Sequence, residues 1–526
     1  MTSEAPSSGG QKPVLASQRA KAEAEARGEK PKSRFANLFP LGYRDSFSQW
    51  WENVPAAVAE HNVLSFSPYL QSPPTQSTTA LAISKPAADG SIVKSDEEKL
   101  EKTTSATAIS KDDPYGPRRW MSNLVNLSGK NRALNEYSVE RVGEKSDQTL
   151  VMLHGYGAGL GFFYKNFEGL SRAEGWKIYA LDLLGMGRSS RPPFKIAAKD
   201  RQSSVTEAEN WFTDSLEEWR KARKLERFSL MGHSLGGYMA TCYALKYPGR
   251  VNKLYLVSPV GIPEDPYAVN QELPEPTHST IQAEVTQDQS MTTSEDKNNF
   301  MNARSKGEAE AAKTGQRPQR KPLPKWFAYL WDANISPFSI VRWGAPLGPR
   351  FVSGWTSRRF SQFPAEEAQA LHTYAYTLFK QKGSGEYALA YILAPGAAAR
   401  SPLIRRIAGI GRQYMKSDGS LSTNTDDPGR RRETGIPVVL MYGDNDWMDV
   451  QGGHNAVKKL KEAQEKALSE ASEIEKKAEN GSAKVVVVKN AGHHLYLDGW
   501  EEFNSVVLKE LEETRKHERE RRQGLS

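Results

Sequence analysis

The sequence predicts an α/β fold with a mostly parallel central sheet, helices on both of its faces, and a helical cap inserted between the two halves of the sheet. Strand-like apolar segments alternate with helical ones over residues 115–263 and again over 436–514, as in parallel sheets with crossover helices. A Gly-rich turn joins a strand to a helix at residues 232–236. Residues 264–435 differ in composition from both regions and therefore form an insertion.

Three segments precede the first alternating region. Residues 1–34 are rich in Ser, Gly, Ala, Glu and Lys, which predicts a disordered terminus. Residues 35–70 are dense in aromatic side chains, including Trp50 and Trp51, and predict an arm that lies on a membrane surface or packs on the core, or does both. Residues 71–114 are rich in Ser, Thr, Pro and Lys and predict a linker.

The first half of the core, residues 115–263, contains apolar runs of strand length, and continuous runs of this kind are typical of buried parallel strands. The predicted elements are an edge strand at Asn135–Arg141, strands at Thr149–His154, Lys177–Leu181, Phe228–Met231 and Lys253–Val257, and helices at Val205–Lys224 and Tyr238–Tyr247.

The insertion has a polar part at about 264–320, predicted to be a mobile loop, and an aromatic, helical part from Trp326 to about Ile410, predicted to be a cap over the strand ends. The second half of the core, residues 436–514, is predicted to contain strands at Ile436–Tyr442 and Ala483–Val488 and helices at Gln451–Asn480 and Trp500–Thr514. The charged tail, residues 515–526, is expected to fray.

The turn Gly232-His233-Ser234-Leu235-Gly236 has the pattern of a nucleophile elbow between a strand and a helix. Its glycines allow the backbone to pass closely, and the turn raises the Ser234 hydroxyl above the edge of the sheet. The N–H of Leu235 lies at the start of the helix, where negative charge is favoured. We therefore predict that Ser234 is a nucleophile and that Leu235 donates one oxyanion hydrogen bond.

A serine nucleophile requires a base and an orienting carboxylate, which follow it in the order acid, histidine in this kind of fold. The strand at Ile436–Tyr442 leads into three aspartates, of which we favour Asp446, with Asp444 and then Asp449 as alternatives. Glu264 and Asp265, after the preceding strand, are a less favoured position for the acid.

The base is predicted from the last strand, which ends just before two histidines. His493 is favoured and His494 is the alternative. The second oxyanion donor is expected from the Gly-rich turn after Thr149–His154, and we assign it to the N–H of Tyr156. His154 is expected to brace that turn and not to act as a base.

Composition limits the partners. The 71 Lys and Arg residues exceed the 63 Asp and Glu residues, which gives a net charge of +8. Because no nucleic-acid-binding motif accompanies this excess, we favour an anionic lipid surface over nucleic acid as the partner.

Cys242 is the single cysteine, which excludes an intramolecular disulfide. No transmembrane run or secretory leader is evident, and residues 1–22 make only a weak mitochondrial presequence. No His or Cys cluster suggests a metal, and no cofactor is implied.

Arginines in the insertion are candidates for phosphate binding, although ordinary surface positions are an equal alternative. The four proposed for this role are Arg342, Arg350, Arg405 and Arg406, and Arg358, Arg359 and Arg400 belong to the same group.

Five motifs together resemble an α/β-hydrolase branch that includes the lipid-droplet lipase co-activator, the N-acyl-phospholipid lipases and the fungal mitochondrial cardiolipin-specific deacylases. These motifs are residues 154–157 (HGYG), 182–189 (DLLGMGRS), 232–236 (GHSLG), 442–447 (YGDNDW) and 493–498 (HHLYLD). The resemblance implies a Ser234–Asp446–His493 triad acting on phospholipid or lysophospholipid at a membrane. It also implies the mitochondrion as the location, with cytoplasm or lipid droplet as alternatives.

The last motif has the H-x4-D spacing, His493 to Asp498, that this branch shares with glycerolipid acyltransferases. Three functions therefore remain open. The first is a serine acyl hydrolase of glycerophospholipids, with cardiolipin as one candidate. The second is an acyl-CoA-dependent lysophosphatidic acid acyltransferase that uses His493 and Asp498. The third is a non-catalytic lipase regulator, although Ser234, the nucleophile that the co-activator lacks, favours an enzyme.

Overall fold

The structure is a computed structural model that describes residues 39–70, 72–75, 105–110, 112–264, 336–394, 397–416, 419–424, 426–427 and 429–524. The predicted disordered terminus, most of the predicted linker, the polar insert after Glu264 and the start of the aromatic cap segment at Trp326 lie outside the described residues.

In the described part of the chain, nine strands form one sheet in the order β1-β2-β3-β5-β4-β6-β7-β10-β11, and β8 and β9 form a separate two-stranded ribbon. The pairs β1–β2, β2–β3 and β3–β5 are antiparallel, whereas the run β5, β4, β6, β7, β10 and β11 is parallel. Their bounds are β1 Ser105–Ile109, β2 Arg118–Asn126, β3 Ala133–Arg141, β4 Gln148–Leu153, β5 Trp176–Leu181, β6 Phe228–His233, β7 Val251–Val257, β8 Tyr414–Met415, β9 Arg431–Arg432, β10 Pro437–Gly443 and β11 Ser482–Val488.

The α-helices flank the sheet or build the arm and the cap. Their bounds are α1 Tyr43–Glu52, α2 Ala56–Leu64, α3 Tyr164–Leu170, α4 Arg201–Ala222, α5 Leu235–Lys246, α6 Pro337–Trp343, α7 Gly348–Arg359, α8 Ala365–Phe379, α9 Leu389–Ile392, α10 Val450–Glu470, α11 Glu473–Ala478, α12 Leu495–Asp498 and α13 Trp500–Gly524. The predicted α/β class, with a mostly parallel sheet and helices on both faces, is confirmed.

The side chains of the sheet are buried in two apolar clusters. One contains side chains of α4, α5 and α10, such as Phe212 and Leu460. The other contains side chains of α3 and α13 together with the arm residue Val63 and the cap residue Tyr374. The arm and the cap therefore share one continuous core with the sheet, because their apolar side chains are buried against it.

Four local predictions were wrong. Residues 105–109 of the predicted linker form β1, because their backbone pairs with β2. Asn135–Arg141 is not an edge strand, since β3 has β2 on one side and β5 on the other. The long helix at Gln451–Asn480 is interrupted at Ser472, whose side chain accepts the Glu475 N–H in a capping box and starts α11. The final helix continues to Gly524 through most of the predicted fraying tail.

The arm divides into two parts. In α2, Ala59, Glu60, Val63 and Leu64 are buried. In α1, Ser46 is the buried residue, while large aromatic side chains of the same helix point outward. The two alternatives left open for the arm thus fall on different helices: α2 packs on the core, and α1 presents an apolar face to solvent.

Candidate active site

Ser234 lies on a strained turn between β6 and α5. Its backbone angles are φ 53° and ψ −115°, a conformation that L-residues rarely adopt. A side chain at Gly232 would overlap the carbonyl of Gly236, and one at Gly236 would lie 2.7 Å from the carbonyl oxygen of His154. The two glycines are therefore required by close backbone approach, as expected for an elbow.

Asp446 and His493 form a buried acid–base pair at the carboxyl edge of the sheet. Oδ1 of Asp446 lies 3.2 Å from Nδ1 of His493, and both side chains are fully buried. Oδ1 also accepts the N–H of Met448 at 3.1 Å. The carboxylate thus holds the proton of a neutral His493 on Nδ1, which leaves the lone pair on Nε2.

Nε2 of His493 is buried and has no hydrogen-bond partner among the described residues. Ser234 and His493 are thus not hydrogen-bonded in this structure, although both lie at the same edge of the sheet. Hydrogen bonds of this kind are often long before substrate binds and tighten only in the complex. The unsatisfied Nε2 is an acceptor available for the proton of a nearby hydroxyl.

His233 connects the elbow to the loop that carries His493. Its Nε2 donates to the carbonyl oxygen of His493 at 3.0 Å, and the centroids of the two rings are 4.7 Å apart. Burial holds the pKa of His233 well below its usual range, so the ring is neutral. No role for His233 was predicted from the sequence, although its position directly before Ser234 indicates that its side chain lies next to the site.

Ser258 is a second residue that sequence analysis missed. It follows β7 directly with a φ of 48°, donates to Oδ2 of Asp446, and places its Oγ 3.2 Å from Nδ1 of His493. The signal was positional, since a polar residue directly after a buried parallel strand lies at the same edge as Ser234.

The alternatives for the acid have other partners. Oδ1 of Asp444 accepts the N–H of Ala491 at 3.1 Å and the side-chain amide of Asn445 at 2.8 Å, so it braces the two loops. Asp449 directly precedes α10, and Glu264 forms an ion pair with Arg405. Asp265 lies outside the described residues.

The Gly-rich turn after β4 lies beside Ser234. A Cβ added to Gly155 would lie 3.1 Å from Cβ of Ser234, so the N–H of Tyr156, the next residue, belongs to the turn that faces the elbow. Leu235, whose N–H is the other assigned oxyanion donor, is the first residue of α5.

His154 braces this turn, as predicted. Its Nε2 accepts the N–H of Leu183 at 3.0 Å, so Nδ1 carries the proton and donates to the carbonyl oxygen of Gly155 at 2.7 Å. Burial lowers the pKa of His154 to about 4, which keeps the ring neutral near pH 7. A neutral ring fixed at both nitrogens cannot serve as a general base.

The cap covers the turn with stacked aromatic rings. The ring of Tyr156 stacks on Phe338 of α6 at 4.9 Å between centroids, and Phe338 stacks on Phe379 of α8 at 4.4 Å. The Tyr156 hydroxyl lies 3.3 Å from Oγ of Ser336 at the start of α6. The cap therefore places apolar surface over the turn next to the elbow.

The structure does not bring the four predicted phosphate-binding arginines to the acid–base pair. Each is bound to protein groups supplied by distant parts of the chain, which sequence alone could not reveal. Arg342 pairs with Glu386, Arg350 donates to the carbonyl oxygen of Leu41, Arg405 pairs with Glu264, and Arg406 pairs with Glu209.

The H-x4-D pair is also separated. Oδ1 of Asp498 accepts from Arg359 at 3.0 Å and from Gln362 at 2.6 Å, and Oδ2 accepts the N–H of Gly492 at 3.1 Å. His493 is instead paired with Asp446. His493 and Asp498 are therefore not hydrogen-bonded to each other in this structure.

Among the described residues, no group of three or more His, Cys, Asp or Glu side chains could hold a metal ion. Within the same part of the chain, no helix combines the length and apolar character needed to cross a membrane.

Comparison with known proteins agrees with this fold. Residues 148–499 match the family described as alpha/beta hydrolase fold. A 1-acylglycerol-3-phosphate O-acyltransferase of Arabidopsis thaliana is 31% identical over 407 residues, which cover 76% of this chain and 74% of that relative. The chain belongs to the alpha/beta hydrolase family.

Two further relatives lie in the branch that the motifs indicated. The 1-acylglycerol-3-phosphate O-acyltransferase ABHD5 of Mus musculus is 29% identical over 396 residues, covering 74% of this chain and 84% of that protein. The (Lyso)-N-acylphosphatidylethanolamine lipase of Homo sapiens is 28% identical over 395 residues, covering 74% of this chain and 86% of that protein. The predicted relationship to this branch is confirmed.

Proposed function

We propose that this chain is a serine acyl hydrolase of membrane glycerophospholipids. The observation that carries the proposal is the pair of Asp446 and His493, which leaves a buried, unpartnered Nε2 at the edge of the sheet where the strained elbow presents Ser234. A base with its proton fixed on the far nitrogen is what a hydroxyl nucleophile needs.

In the proposed reaction, Oγ of Ser234 attacks the ester carbonyl and its proton passes to Nε2 of His493. Asp446 stabilises the imidazolium, while the N–H groups of Leu235 and Tyr156 donate to the oxyanion. Collapse of the tetrahedral intermediate releases the lysophospholipid alcohol, which takes the proton from Nε2. Water, deprotonated by His493, then attacks the acyl-enzyme, releases the fatty acid and restores Ser234.

The proposed substrate class rests on the cap and on the relatives. The stacked rings of Tyr156, Phe338 and Phe379 suit a hydrocarbon chain. The names of the relatives refer to acylglycerol phosphate and N-acylphosphatidylethanolamine, both of them phospholipids. Cardiolipin, and with it a mitochondrial location, is the specific candidate that we retain from the motif resemblance.

A lipid surface is the proposed place of action. On α1, the exposed side chains are Tyr43, Phe47 and Trp51. On α6, Trp343 is 70% exposed. Oγ of Ser46 on α1 donates to the carbonyl oxygen of Pro346, three residues beyond the end of α6, at 2.6 Å, so the exposed aromatic side chains belong to neighbouring segments of the chain. Trp and Tyr at an exposed face suit the boundary between lipid and water.

The test is Ser234→Ala with Ser203→Ala, an exposed serine on α4, as the matched control. Both proteins and the parent chain are incubated with vesicles of mixed glycerophospholipids that include cardiolipin, and released fatty acids are measured by mass spectrometry. We expect release by the parent chain and by Ser203→Ala, and none above background by Ser234→Ala. Undiminished release by Ser234→Ala contradicts the proposal.

Acyl transfer remains the second candidate because two of the named relatives are acyltransferases. Adding acyl-CoA and lysophosphatidic acid to the same assay separates the two. Phosphatidic acid formation that requires acyl-CoA and survives Ser234→Ala favours the transferase. A chain that releases no fatty acid and whose Ser234 does not react with a fluorophosphonate favours a non-catalytic regulator.

A further inference from the structure

Arg359, at the end of cap helix α7, joins the cap to the loop of the proposed base. Its Nε donates to Nδ1 of His494 at 3.0 Å, and its Nη2 donates to Oδ1 of Asp498 at 3.0 Å. The side chains of Arg359 and Asp498 are 5% and 6% exposed. A buried pair of this kind is costly to break, because either partner alone leaves an uncompensated charge in the interior.

The second carboxylate oxygen of Asp498 binds the loop that carries His493. Oδ2 accepts the N–H of Gly492 at 3.1 Å, while Oδ1 also accepts the side-chain amide of Gln362, just beyond α7, at 2.6 Å. Gly492 directly precedes His493, and His494 directly follows it. The residues on both sides of the base are therefore bound to one cluster, and that cluster is shared with the cap.

The protonation of His494 fits this arrangement. The ring accepts from a guanidinium, so its Nδ1 must be unprotonated. Burial, and after it the charge of Arg359, lowers the pKa of His494 well below its usual range. A neutral His494 is thus fixed as an acceptor for Arg359 and is excluded as a general base.

We propose that Arg359 and Asp498 form a latch that positions His493 only when the cap is seated on the sheet. Movement of α7 away from the core breaks the bond of Arg359 to His494 and its ion pair with Asp498, the residue that holds Gly492. The Asp498 of the H-x4-D spacing acts in this latch as a positioning residue and not as the partner of His493. The proposal rests on His493 being the base of the proposed hydrolase.

The experiment uses the full chain with Arg359→Lys, which keeps the charge but loses the planar fork, and Asp498→Asn, which keeps the shape but loses the charge. The control is Arg119→Lys, which alters an ion pair between Arg119 of β2 and Glu140 of β3. For each protein we measure kcat and KM on a soluble short-chain ester and the rate at which a fluorophosphonate labels Ser234. Since small displacements of a catalytic group can cost about 100-fold, we expect each latch variant to lower kcat and the labelling rate by roughly 10- to 100-fold. KM should stay within about threefold, and the double variant should be no slower than the slower single variant.

A second measurement does not depend on activity. Hydrogen exchange is followed in the Ser234→Ala background, and each latch variant should raise exchange in residues 348–359 and 489–494 together. Unchanged exchange at 489–494 overturns the latch, as does kcat within twofold of the parent. If the parent chain neither hydrolyses esters nor reacts at Ser234, the proposed function fails, and the exchange experiment still decides whether the cap and the loop are coupled. Should Arg359→Lys not fold, Asp498→Asn and Gln362→Ala carry both measurements.

Discussion

The hydroxyl of Ser258 donates a hydrogen bond to Oδ2 of Asp446, although 188 residues separate the two in the chain. The contact exists because β7 and β10 are adjacent parallel strands, so the residues that follow them meet at one edge of the sheet. Ser258 and the N–H of Met448 together leave the carboxylate hydrogen-bonded on both oxygens before His493 is considered.

Replacing Ser258 by alanine removes one donor from this buried carboxylate. A hydrogen bond to a charged group contributes about 1.5–3 kcal/mol, so we expect kcat/KM to fall roughly 10- to 100-fold. The measurement is steady-state hydrolysis of a soluble ester near pH 7.5, with Ser203→Ala as the control. A Ser258→Ala protein with the parent rate would show that Asp446 does not need this donor to orient His493.

Substitution of Asp446 and of Asp444 distinguishes which of these two aspartates after β10 is the acid of the triad. In Asp446→Asn, the amide can donate to Nδ1 of His493, which moves the ring proton to Nε2 and removes the base. We expect kcat to fall about 10⁴-fold, as is typical when a triad carboxylate is converted to its amide. Asp444→Asn changes a loop contact with Ala491 and should cost less than about tenfold. The reverse order of effects would make Asp444 the acid.

The parallel strands could be predicted from the sequence because buried parallel strands such as β6 and β10 are continuous apolar runs. β1 could not, since Ser105–Ile109 is short and mostly small or polar, and it forms a strand only by pairing with β2. Local pattern carries no information about a partner strand of this kind.

In the candidate site, too, some residues could be predicted from the local sequence, whereas others are identified only by tertiary contacts. Ser234 and His493 stand out because each follows a predicted strand in a recognisable turn. Asp446 and Asp444 both follow β10, and only tertiary contacts with His493 and Ala491 separate them. The distant groups that bind the cap arginines, such as Glu209 for Arg406 and the carbonyl oxygen of Leu41 for Arg350, also could not be predicted from the sequence.

Gly155 is predicted to be required for activity more than for folding. A Cβ there would lie 2.9 Å from Nδ1 of His233 and 3.1 Å from Cβ of Ser234, so the elbow or the oxyanion turn must shift. We expect Gly155→Ala to lower kcat by about tenfold or more, since misplacement of reacting groups is costly. Gly143→Ala is the control, because its Cβ would meet nothing within 4 Å while its φ of 83° adds strain. Equal kcat in the two variants would contradict the role of Gly155.

The exposed aromatic side chains of α1 and α6 predict binding to lipid vesicles. Removing a large apolar side chain from a lipid contact costs about 1.5–3 kcal/mol, so Trp51→Ala and Trp343→Ala should each weaken partitioning by roughly tenfold or more. Co-sedimentation with vesicles that contain anionic lipid measures the effect. Ile474→Ala is the matched control, because Ile474 is 80% exposed on α11, outside the arm and the cap. If Ile474→Ala weakens binding as much as the Trp variants do, the proposed face is wrong.

Glu60 anchors the arm in the core and makes its attachment dependent on pH. Burial raises the pKa of Glu60 to about 6, against the ion pair with Arg188 and a hydrogen bond from Asn135. The folded chain therefore binds this proton more tightly than the unfolded chain, whose Glu has a pKa near 4.5. The contribution is fully present below pH 4.5 and is lost as pH rises through 6.

Glu60→Gln tests this dependence, because glutamine does not titrate. The free energy of opening of α2, measured by hydrogen exchange of residues 56–64, should fall in the parent chain relative to the variant between pH 4.5 and 7. At about 1.4 kcal/mol per pKa unit, the difference should change by about 2 kcal/mol and then remain constant at higher pH. A difference that stays constant across the whole range would mean that Glu60 does not titrate in this window, and the attachment of the arm would then not depend on this carboxyl's protonation.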